Sequence, residues 1–504
     1  MKRQYAERMS EELKSAATPA PLIKAVNRAQ MCFRTVEVER LVDADHPSRL
    51  LWEIIGKLDL SRYYAGVKSN EEEGGRPGWP PQLLITMWVY AYSVGIGAAR
   101  EIERRCEYDP AFWWLTGMEK VNHHTLSDFR MEKKEELDEL FAQVLGAASA
   151  EGFISLEQVT LDGTKIKANA SGKSFHREKT LREHLEKARE VVKQLEAEGE
   201  AEEKRRAAAE EKARKKVERL EQALAELKEL REGKGREEEK QETRVSSSDP
   251  EARVMKQNEG GFAPSYNVQI TTDTQHGLIV DVEVTQAGND FQQLIPAVER
   301  VEERFGQAPG QVLVDSGYIS RENVEEIAGR NVDLLGSLAD DKSKKGERDK
   351  DRYPSSMFVY HAEQDHYVCP AGKILSYEGR QSKDGMQQFK YKAKGKDCRS
   401  CPLKMQCCPE NKKHGRSVTR SEESPAMIAF RAKMVTDAAQ AEYRKRGAVA
   451  EFRNLWIKTK LGLRQFHVRG LEKVGCETLW ACLTHNLQHW IRLRRQKVAL
   501  AAAV

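Results

Sequence analysis

The stretch between residues 174 and 245 places the strongest constraint on the fold of this chain. It is rich in Glu, Lys, Arg and Ala and nearly lacks aromatic residues, and its apolar residues recur in steps of four and three along two runs. That spacing is typical of helices that pair along a narrow apolar seam. The first run comprises Leu181, Leu185, Ala188, Val192 and Leu195, and the second comprises Val217, Leu220, Leu224, Leu227 and Leu230.

Gly199 lies between the two runs, so the sequence predicts an antiparallel coiled-coil hairpin over residues 173–248 with its turn near this glycine. Charges of both signs are interspersed along the segment, which favours a solvated strut. An arm that contacts DNA or a second subunit is the alternative interpretation.

Length and composition limit the class of protein. At roughly 100–200 residues per domain, 504 residues predict three or four domains. The net charge of +4 excludes a general polycation, so any nucleic-acid surface must be a local patch. Charged residues make up 32% of the chain, and the apolar runs are shorter than the roughly 18 residues of a membrane helix. We expect a cytoplasmic protein whose nine cysteines are metal ligands or free thiols.

Residues 46–150 predict short helices, which define an N-terminal helical domain over residues 1–150. The segment RPGWPPQLLITMWVYAYSVG begins with prolines and is then apolar on nearly every side, which is typical of a buried helix. A later segment, TLSDFRMEKKEELDELFAQVLGAA, predicts a helix capped by Thr125 or Ser127.

A basic face follows the buried helix in AAREIERRCEYD, which carries Arg100, Arg104 and Arg105. Short helices with exposed arginines occur in helix-turn-helix DNA-binding domains, so Arg100 and Arg104 are candidate DNA contacts. A face that is merely solvated is the alternative.

The pattern then changes to strands. Residues 155–172 predict two short strands around a DGT turn, and APSYNVQITTD and GLIVDVEVTQ predict two strands joined by a TQHG turn. Helix and strand alternate through DFQQLIPAVERVEERFG, GQVLVDSGY, SRENVEEIAGR and NVDLLGSL. This order predicts an α/β fold with a mixed sheet covered by helices. Residues 426–495 predict long helices, the last of them amphipathic.

Three acidic residues are candidate metal ligands. Asp162 is predicted to end one strand, Asp315 ends another, and Glu451 lies on a late helix. Carboxylates at strand ends converge where the edges of a sheet form a crevice. Mg²⁺ is held by carboxylate, water and phosphate oxygens, and two such ions suit phosphodiester cleavage. Taken singly, such an Asp is more often a turn former and such a Glu more often a surface charge.

The order of these motifs resembles the DDE transposases of bacterial insertion sequences. Asp162 lies in TLDGTKIKANAS and Asp315 in VLVDSGYIS. The closest likeness is to the branch with a Tyr-Arg-Glu-Lys signature on the last catalytic helix. That signature corresponds here to Tyr443, Arg446, Glu451 and Lys458. The segments PGWPPQLLITMWVYAYSVGIGAAREIERR and GLRQFHVRGLEKVGCETLWACLTHNLQHW also look like parts of that family.

The resemblance implies an RNase H-like catalytic core interrupted by insertions. Together with the sequence patterns, it predicts an RNase H-like mixed sheet with helices, an N-terminal all-α domain, an inserted antiparallel coiled coil and an inserted Cys-rich zinc ribbon. The catalytic domain would combine residues 151–172, 249–340 and 426–495. The coiled-coil hairpin would be inserted at 173–248 and the ribbon at 341–425.

The resemblance also implies a metal-dependent endonuclease and strand transferase. Asp162, Asp315 and Glu451 would hold Mg²⁺ or Mn²⁺, and hydrolysis would free a 3′-OH that attacks target DNA. The expected partners are double-stranded DNA, as terminal inverted repeats and target, and further copies of the chain in a homodimer or higher oligomer at the bacterial nucleoid. The alternatives are a catalytically silent DNA-binding relative and a nuclease that stops at hydrolysis.

Further basic and aromatic residues are candidate DNA contacts. The resemblance implies that Tyr443, Arg446 and Lys458 contact the backbone near the scissile phosphate, and an ordinary helix-packing pair is the alternative for the first two. Lys165 and Lys167 alternate with an apolar residue, which predicts that both point to one side of the strand beside the first aspartate. A solvated strand face is the alternative.

Four cysteines in the Lys- and Gly-rich segment 341–425 predict a structural zinc site. Two of them form a CxxC knuckle, and a small segment without a core of its own needs such a ligand to fold. The predicted ligands are Cys369, Cys398, Cys401 and Cys407. Cys408, His361 and His366 are alternatives for one position, and loose thiols are the alternative to a metal site.

Overall fold

A computed structural model describes residues 35–65, 77–197, 203–257, 260–337, 353, 355–383, 386–409, 414–421 and 424–502 of the chain. Within these residues no helix is both long and apolar enough to cross a lipid bilayer. One buried apolar cluster runs through the N-terminal helices, the main sheet and the last helix. The helices of the N-terminal part therefore share a core with the sheet.

Seven helices form the N-terminal part of the described chain. They are α1 (Pro47–Ile55), α2 (Ser61–Ala65), α3 (Pro81–Ser93), α4 (Ala99–Arg105), α5 (Pro110–Thr116), α6 (His123–Glu132) and α7 (Lys134–Ala150). Helix α3 is buried on every side from Leu83 to Tyr92, as its apolar sequence predicts.

The predicted helix start at Thr125 or Ser127 is wrong. Helix α6 begins at His123, because the side chain of Asn122 accepts a hydrogen bond from the backbone of His124 and caps the helix earlier. The helical backbone then breaks at Lys133, so the single predicted helix is two helices.

Strand β1 (Gln158–Lys167) crosses the middle of the main sheet without a break. The two short strands predicted around a DGT turn are therefore wrong, and Asp162 lies in mid-strand rather than at a strand end. The reason lies in the tertiary structure. From Val159 to Lys167 every residue pairs with a neighbouring antiparallel strand, so the backbone hydrogen bonds that a turn would make are made within the sheet.

Two long helices follow, in the segment predicted to form a hairpin. Short strands β2 (Phe175–His176) and β3 (Val245–Ser246) pair at its base, and between them lie α8 (Glu178–Ala197), α9 (Glu203–Glu232) and α10 (Glu237–Gln241). The two long helices bury a seam of their own, made of Leu181, Leu185, Ala188, Leu220, Ala223 and Leu227 with Val245. The predicted turn at Gly199 lies outside the described residues.

The main sheet is mixed, as predicted. Its remaining elements are β4 (Arg253–Lys256), β5 (Phe262–Asp273), β6 (Ile279–Thr285), α11 (Leu294–Phe305), β7 (Gln311–Val314), α12 (Arg321–Gly329) and β8 (Asp333–Gly336). The strand order is β4-β5-β1-β7-β8, and β6 also pairs with β5. The β1–β5 pair is antiparallel, whereas β1–β7 and β7–β8 are parallel.

The Cys-rich segment forms a second, antiparallel sheet. Its elements are β9 (Val359–His361), β10 (His366–Val368), β11 (Ile374–Lys383), β12 (Met386–Ala393), α13 (Gly395–Arg399), α14 (Lys404–Cys407) and β13 (Ser417–Ser421). The expectation that this segment lacks a core is wrong, because Tyr391 is fully buried among the rings of Tyr360, Tyr367 and Tyr377. Aromatic rings supply the apolar area that aliphatic periodicity did not reveal.

The chain ends in helices α15 (Pro425–Met434), α16 (Asp437–Arg446), α17 (Phe452–Thr459) and α18 (Leu471–Ala502), with a π-helical turn at Gly447–Glu451. The predicted amphipathic character of the last helix is wrong, since consecutive residues from Cys476 to Leu487 are all buried. Helix α18 packs at once against α3, α7 and β6, so it has no free face there.

Stability is expected to fall as the pH drops below about 6.5. Burial, aided by nearby Arg453, lowers the pKa of His485 to about 3, and burial lowers that of His489 to about 4. Both histidines take up a proton near pH 6.5 in the unfolded chain but stay neutral in the folded chain. The free energy of unfolding is therefore highest above pH 6.5, and it falls as the pH drops from there toward the folded pKa values. At pH 5 the loss is about 2 kcal/mol per histidine.

Chemical denaturation of the wild type and of His485→Gln at pH 8 and pH 5 measures this loss. We expect the variant to lose less stability between the two pH values. An equal loss would contradict the assignment of the effect to this ring.

Candidate active site

Both carboxylate oxygens of Asp162 are occupied by side chains of the late helices. Arg446, at the end of α16, donates from Nη2 to Oδ1 at 2.7 Å, and Asn454, on α17, donates from Nδ2 to Oδ2 at 2.7 Å. Side-chain exposure is 12% for the arginine and 14% for the aspartate, so the ion pair is largely shielded from water. The π-helical turn lies between the two donors and sets both on the face toward β1.

Burial raises the pKa of Asp162 to about 6. The Arg446 guanidinium opposes this shift, while the carboxylates of Asp315 and Asp290 add to it. Three aspartates therefore interact electrostatically at one place, although they are far apart in the chain.

Asp315 reaches this place through the parallel pairing of β1 and β7. Thr160 lies opposite Leu313, and Asp162 and Asp315 each follow this pair by two residues. Asp315 Oδ1 accepts a hydrogen bond from the backbone of Gly317 at 2.7 Å, which fixes its side chain at the turn after β7.

Asp290 is the acidic residue that the sequence did not reveal. The sequence prediction set it at the start of a helix, but α11 begins only at Leu294 and Asp290 lies in the connection after β6. Its Oδ1 accepts hydrogen bonds from Asn267 Nδ2 and Gln269 Nε2, each at 2.7 Å. The signal in the sequence that could have indicated this residue is its position, since it is an acidic residue in the connection that follows a strand of the same sheet.

Two glycines let these carboxylates approach the sheet. A Cβ on Gly163 would stand 2.5 Å from Asp290 Oδ1, and a Cβ on Gly317 would stand 2.9 Å from Asp315 Oδ1 and 3.6 Å from Asp290 Oδ2. Any larger residue at these positions would push a carboxylate aside.

Glu451 is not gathered with the aspartates. It closes the π-helical turn, which packs on β1 and β5, but its side chain is exposed and turns back along its own helix, with Oε1 4.0 Å from the position of a Cβ on Gly447. Across the described ranges, no three His, Cys, Asp or Glu side chains lie close enough together to hold a metal ion.

The residue types nevertheless suit Mg²⁺. Aspartate oxygens are its usual protein ligands, and the two glycines keep space open beside them. Asn454 Oδ1 and Arg446 Nε are buried and have no hydrogen-bond partner among the residues that the structure describes. A ligand bound at the aspartates could therefore donate a hydrogen bond to Asn454 Oδ1 and accept one from Arg446 Nε.

The other signature residues lie along the same helices. Tyr443 is half-buried against the main core, and burial raises the pKa of its hydroxyl. Lys458 lies on α17, two helical turns after Glu451. Tyr443 and Arg446 therefore border the aspartates.

The remaining predicted DNA contacts lie on α4 and β1. Arg104 pairs with Glu101 on the surface of α4. Strand alternation sets Lys165 and Lys167 on one face of β1, as predicted, and that face is opposite to the face of Asp162. Arg100 is exposed on α4.

The cysteines of the second sheet gather around one small cavity. Its cysteine lining consists of Cys369, Cys398, Cys401, Cys407 and Cys408. The backbone of Lys373 donates to Cys369 Sγ at 3.3 Å. Burial raises the pKa of Cys407 to about 11, so this thiol is protonated in the metal-free state. Thiol ligands suit Zn²⁺, although in the described chain they do not converge to metal-binding distance.

Two family models match the chain. A transposase DDE domain model matches residues 368–491, which include Glu451 and strands β11 to β13 of the Cys-rich sheet, and a second transposase domain model matches residues 36–132 in the N-terminal helices. Searches of curated proteins and of solved structures gave no significant match. The two matches lie at opposite ends of the chain and both describe transposases, and together they indicate a DDE transposase of an insertion sequence.

Proposed function

We propose that this transposase cleaves the ends of its insertion sequence and joins the freed 3′-OH to target DNA at a site formed by Asp162, Asp315 and Glu451. The observation that carries the proposal is the parallel pairing of β1 with β7, because Asp162 and Asp315, 153 positions apart, each follow the Thr160–Leu313 pair by two residues. The order β6-β5-β1-β7-β8, antiparallel on one side of β1 and parallel on the other, supports an RNase H-like fold.

Magnesium or manganese, when bound, would activate the attacking water or 3′-OH and stabilise the leaving oxygen. The residues of the chain have to present oxygens to it. Asp162 offers its carboxylate once Arg446 and Asn454 release it, and Asp315 is already held by the turn after β7. Glu451 would have to turn its side chain toward the aspartates, and the π-helical turn that it closes already packs on β1.

In this mechanism Arg446 would release the carboxylate of Asp162 and bind a phosphate of the DNA backbone instead. Its guanidinium now pairs with Asp162, and its Nε has no partner in the described part of the chain. A backbone phosphate could take both donors, because guanidinium groups bind phosphate through paired hydrogen bonds. Tyr443 and Lys458 would flank the same phosphate.

The remaining proposals concern the rest of the assembly. Arg100, Arg104, Lys165 and Lys167 would contact DNA outside the catalytic centre, and the helices of residues 1–150 would bind element ends. The paired helices α8 and α9 would form a coiled-coil insertion that serves as a strut or a contact arm. A homodimer or higher oligomer would hold both ends near the nucleoid.

To test the proposal, purified protein is incubated with Mg²⁺ and with DNA that carries the terminal repeats of the element that encodes it. We expect nicking at the element ends, and joining when a pre-cut end with a 3′-OH is supplied. Nicking without joining would indicate a nuclease, and salt-sensitive DNA binding without nicking would indicate a silent relative.

Zinc is expected in the cysteine cavity at about one equivalent per chain. The proposed ligands are Cys369, Cys398, Cys401 and Cys407, and Cys408 is the alternative for one position. Metal analysis of protein purified without chelator measures this. Cys401→Ser should lose the zinc and lower the melting temperature, whereas Cys106→Ala, outside this segment, should keep the zinc. Wild-type protein with far less than one equivalent would refute the site.

A further inference from the structure

We propose that Asp290 is a further carboxylate of the metal site, next to Asp315. The inference rests on the proposed function and adds a residue from the connection after β6, which neither family model covers.

The two oxygens of Asp290 have different surroundings. Oδ1 accepts from two amide side chains, Asn267 and Gln269, both only 1% exposed. Oδ2 lies 3.6 Å from the point where a Cβ on Gly317 would stand, and Asp315 Oδ1 lies 2.9 Å from that same point. One oxygen therefore holds the side chain, while the other lies beside Gly317, as does Asp315 Oδ1.

The two amides that bind Asp290 are themselves held in place by hydrogen bonds. Asn267 also donates to the carbonyl of Ala287 at 3.2 Å, which ties the connection to β5. The buried hydroxyl of Tyr318 donates to Gln269 Oε1 and so fixes which way this amide points. An amide fixed in this orientation must present its Nε2 to Asp290, as ligand-orienting groups around metal ions do.

A purely structural role for Asp290 is the competing explanation, and one substitution separates the two. In Asp290→Asn the side-chain oxygen still accepts from both amides, so the connection stays in place. The negative charge and the second acceptor are lost. A structural role predicts a variant that behaves as the wild type.

The test is Mn²⁺ binding to the full-length protein without DNA, measured by electron paramagnetic resonance of the free ion. We expect Asp290→Asn to weaken Mn²⁺ binding by about tenfold or more, as does the loss of metal-site partners elsewhere. Its melting temperature should equal that of the wild type, and Glu303→Gln, which removes an exposed charge on α11, should bind Mn²⁺ normally.

Asp162→Asn and Asp315→Asn are measured in parallel so that two failures can be told apart. If these two weaken Mn²⁺ binding and Asp290→Asn does not, the inference about Asp290 is overturned and the proposed function stands. If none of the three changes Mn²⁺ binding, or if the wild type binds no Mn²⁺, the proposed metal site fails and Asp290 fails with it.

Discussion

Asp162→Asn is expected to reduce end cleavage by about 10³-fold or more while the protein folds normally. The carboxylate is the part of the side chain that holds a divalent ion, and the ion accounts for several kcal/mol of transition-state stabilisation, each 1.36 kcal/mol being a factor of ten. The measurement is the rate of nicking of terminal-repeat DNA with Mg²⁺, compared at equal protein and DNA concentrations.

The fold should tolerate this change because the neighbours of Asp162 can adapt. The new side-chain oxygen can still accept from Arg446, and Asn454 can turn its amide so that Oδ1, which has no partner among the described residues, accepts from the new amide. Thermal unfolding and DNA binding should therefore match the wild type. Cleavage within tenfold of the wild type would rule out Asp162 as a metal ligand.

Glu477→Ala is expected to destabilise the protein by about 3–5 kcal/mol, because it leaves a buried charge without its partner. Glu477 is fully buried on α18, and its carboxylate lies 3.6 Å from Arg130 of α6, which is 3% exposed. It also accepts from the ring and the backbone of His467, at 2.7 Å and 2.9 Å. This one carboxylate connects the N-terminal helices to the C-terminal part of the chain.

Chemical denaturation measures the effect, with Glu472→Ala as the control, since Glu472 is exposed on the same helix. Glu477→Gln should cost less than the alanine, because its amide oxygen still accepts a hydrogen bond. If the alanine variant loses less than about 1 kcal/mol, the buried ion pair does not hold these two parts together.

Local patterns in the sequence predicted individual elements well. The two strands predicted to be joined by the TQHG turn agree with the structure, and the segments DFQQLIPAVERVEERFG and SRENVEEIAGR contain helices there, the first ending at Gly306 and the second capped by Ser320. Each depends on residues a few positions apart, whose effects on the backbone do not need the rest of the fold.

Two of the wrong predictions share one cause. The glycine after Asp162 predicted a turn, but pairing with β5 kept β1 continuous. The last helix was expected to have a polar face, but three elements pack around it. In both cases residues far away in the sequence decided the outcome. They supplied hydrogen-bond partners for the backbone of β1 and buried the face of the last helix that was expected to be polar.

By itself, the sequence determined the class of the protein, most of its helices and strands, and two of the three aspartates at the candidate site. Only the tertiary structure decided that Asp290 joins them, that Arg446 and Asn454 hold Asp162, and that Glu451 points away. The physical reason is that strand register and helix packing bring together side chains separated by more than a hundred residues, whereas sequence patterns report on neighbours along the chain.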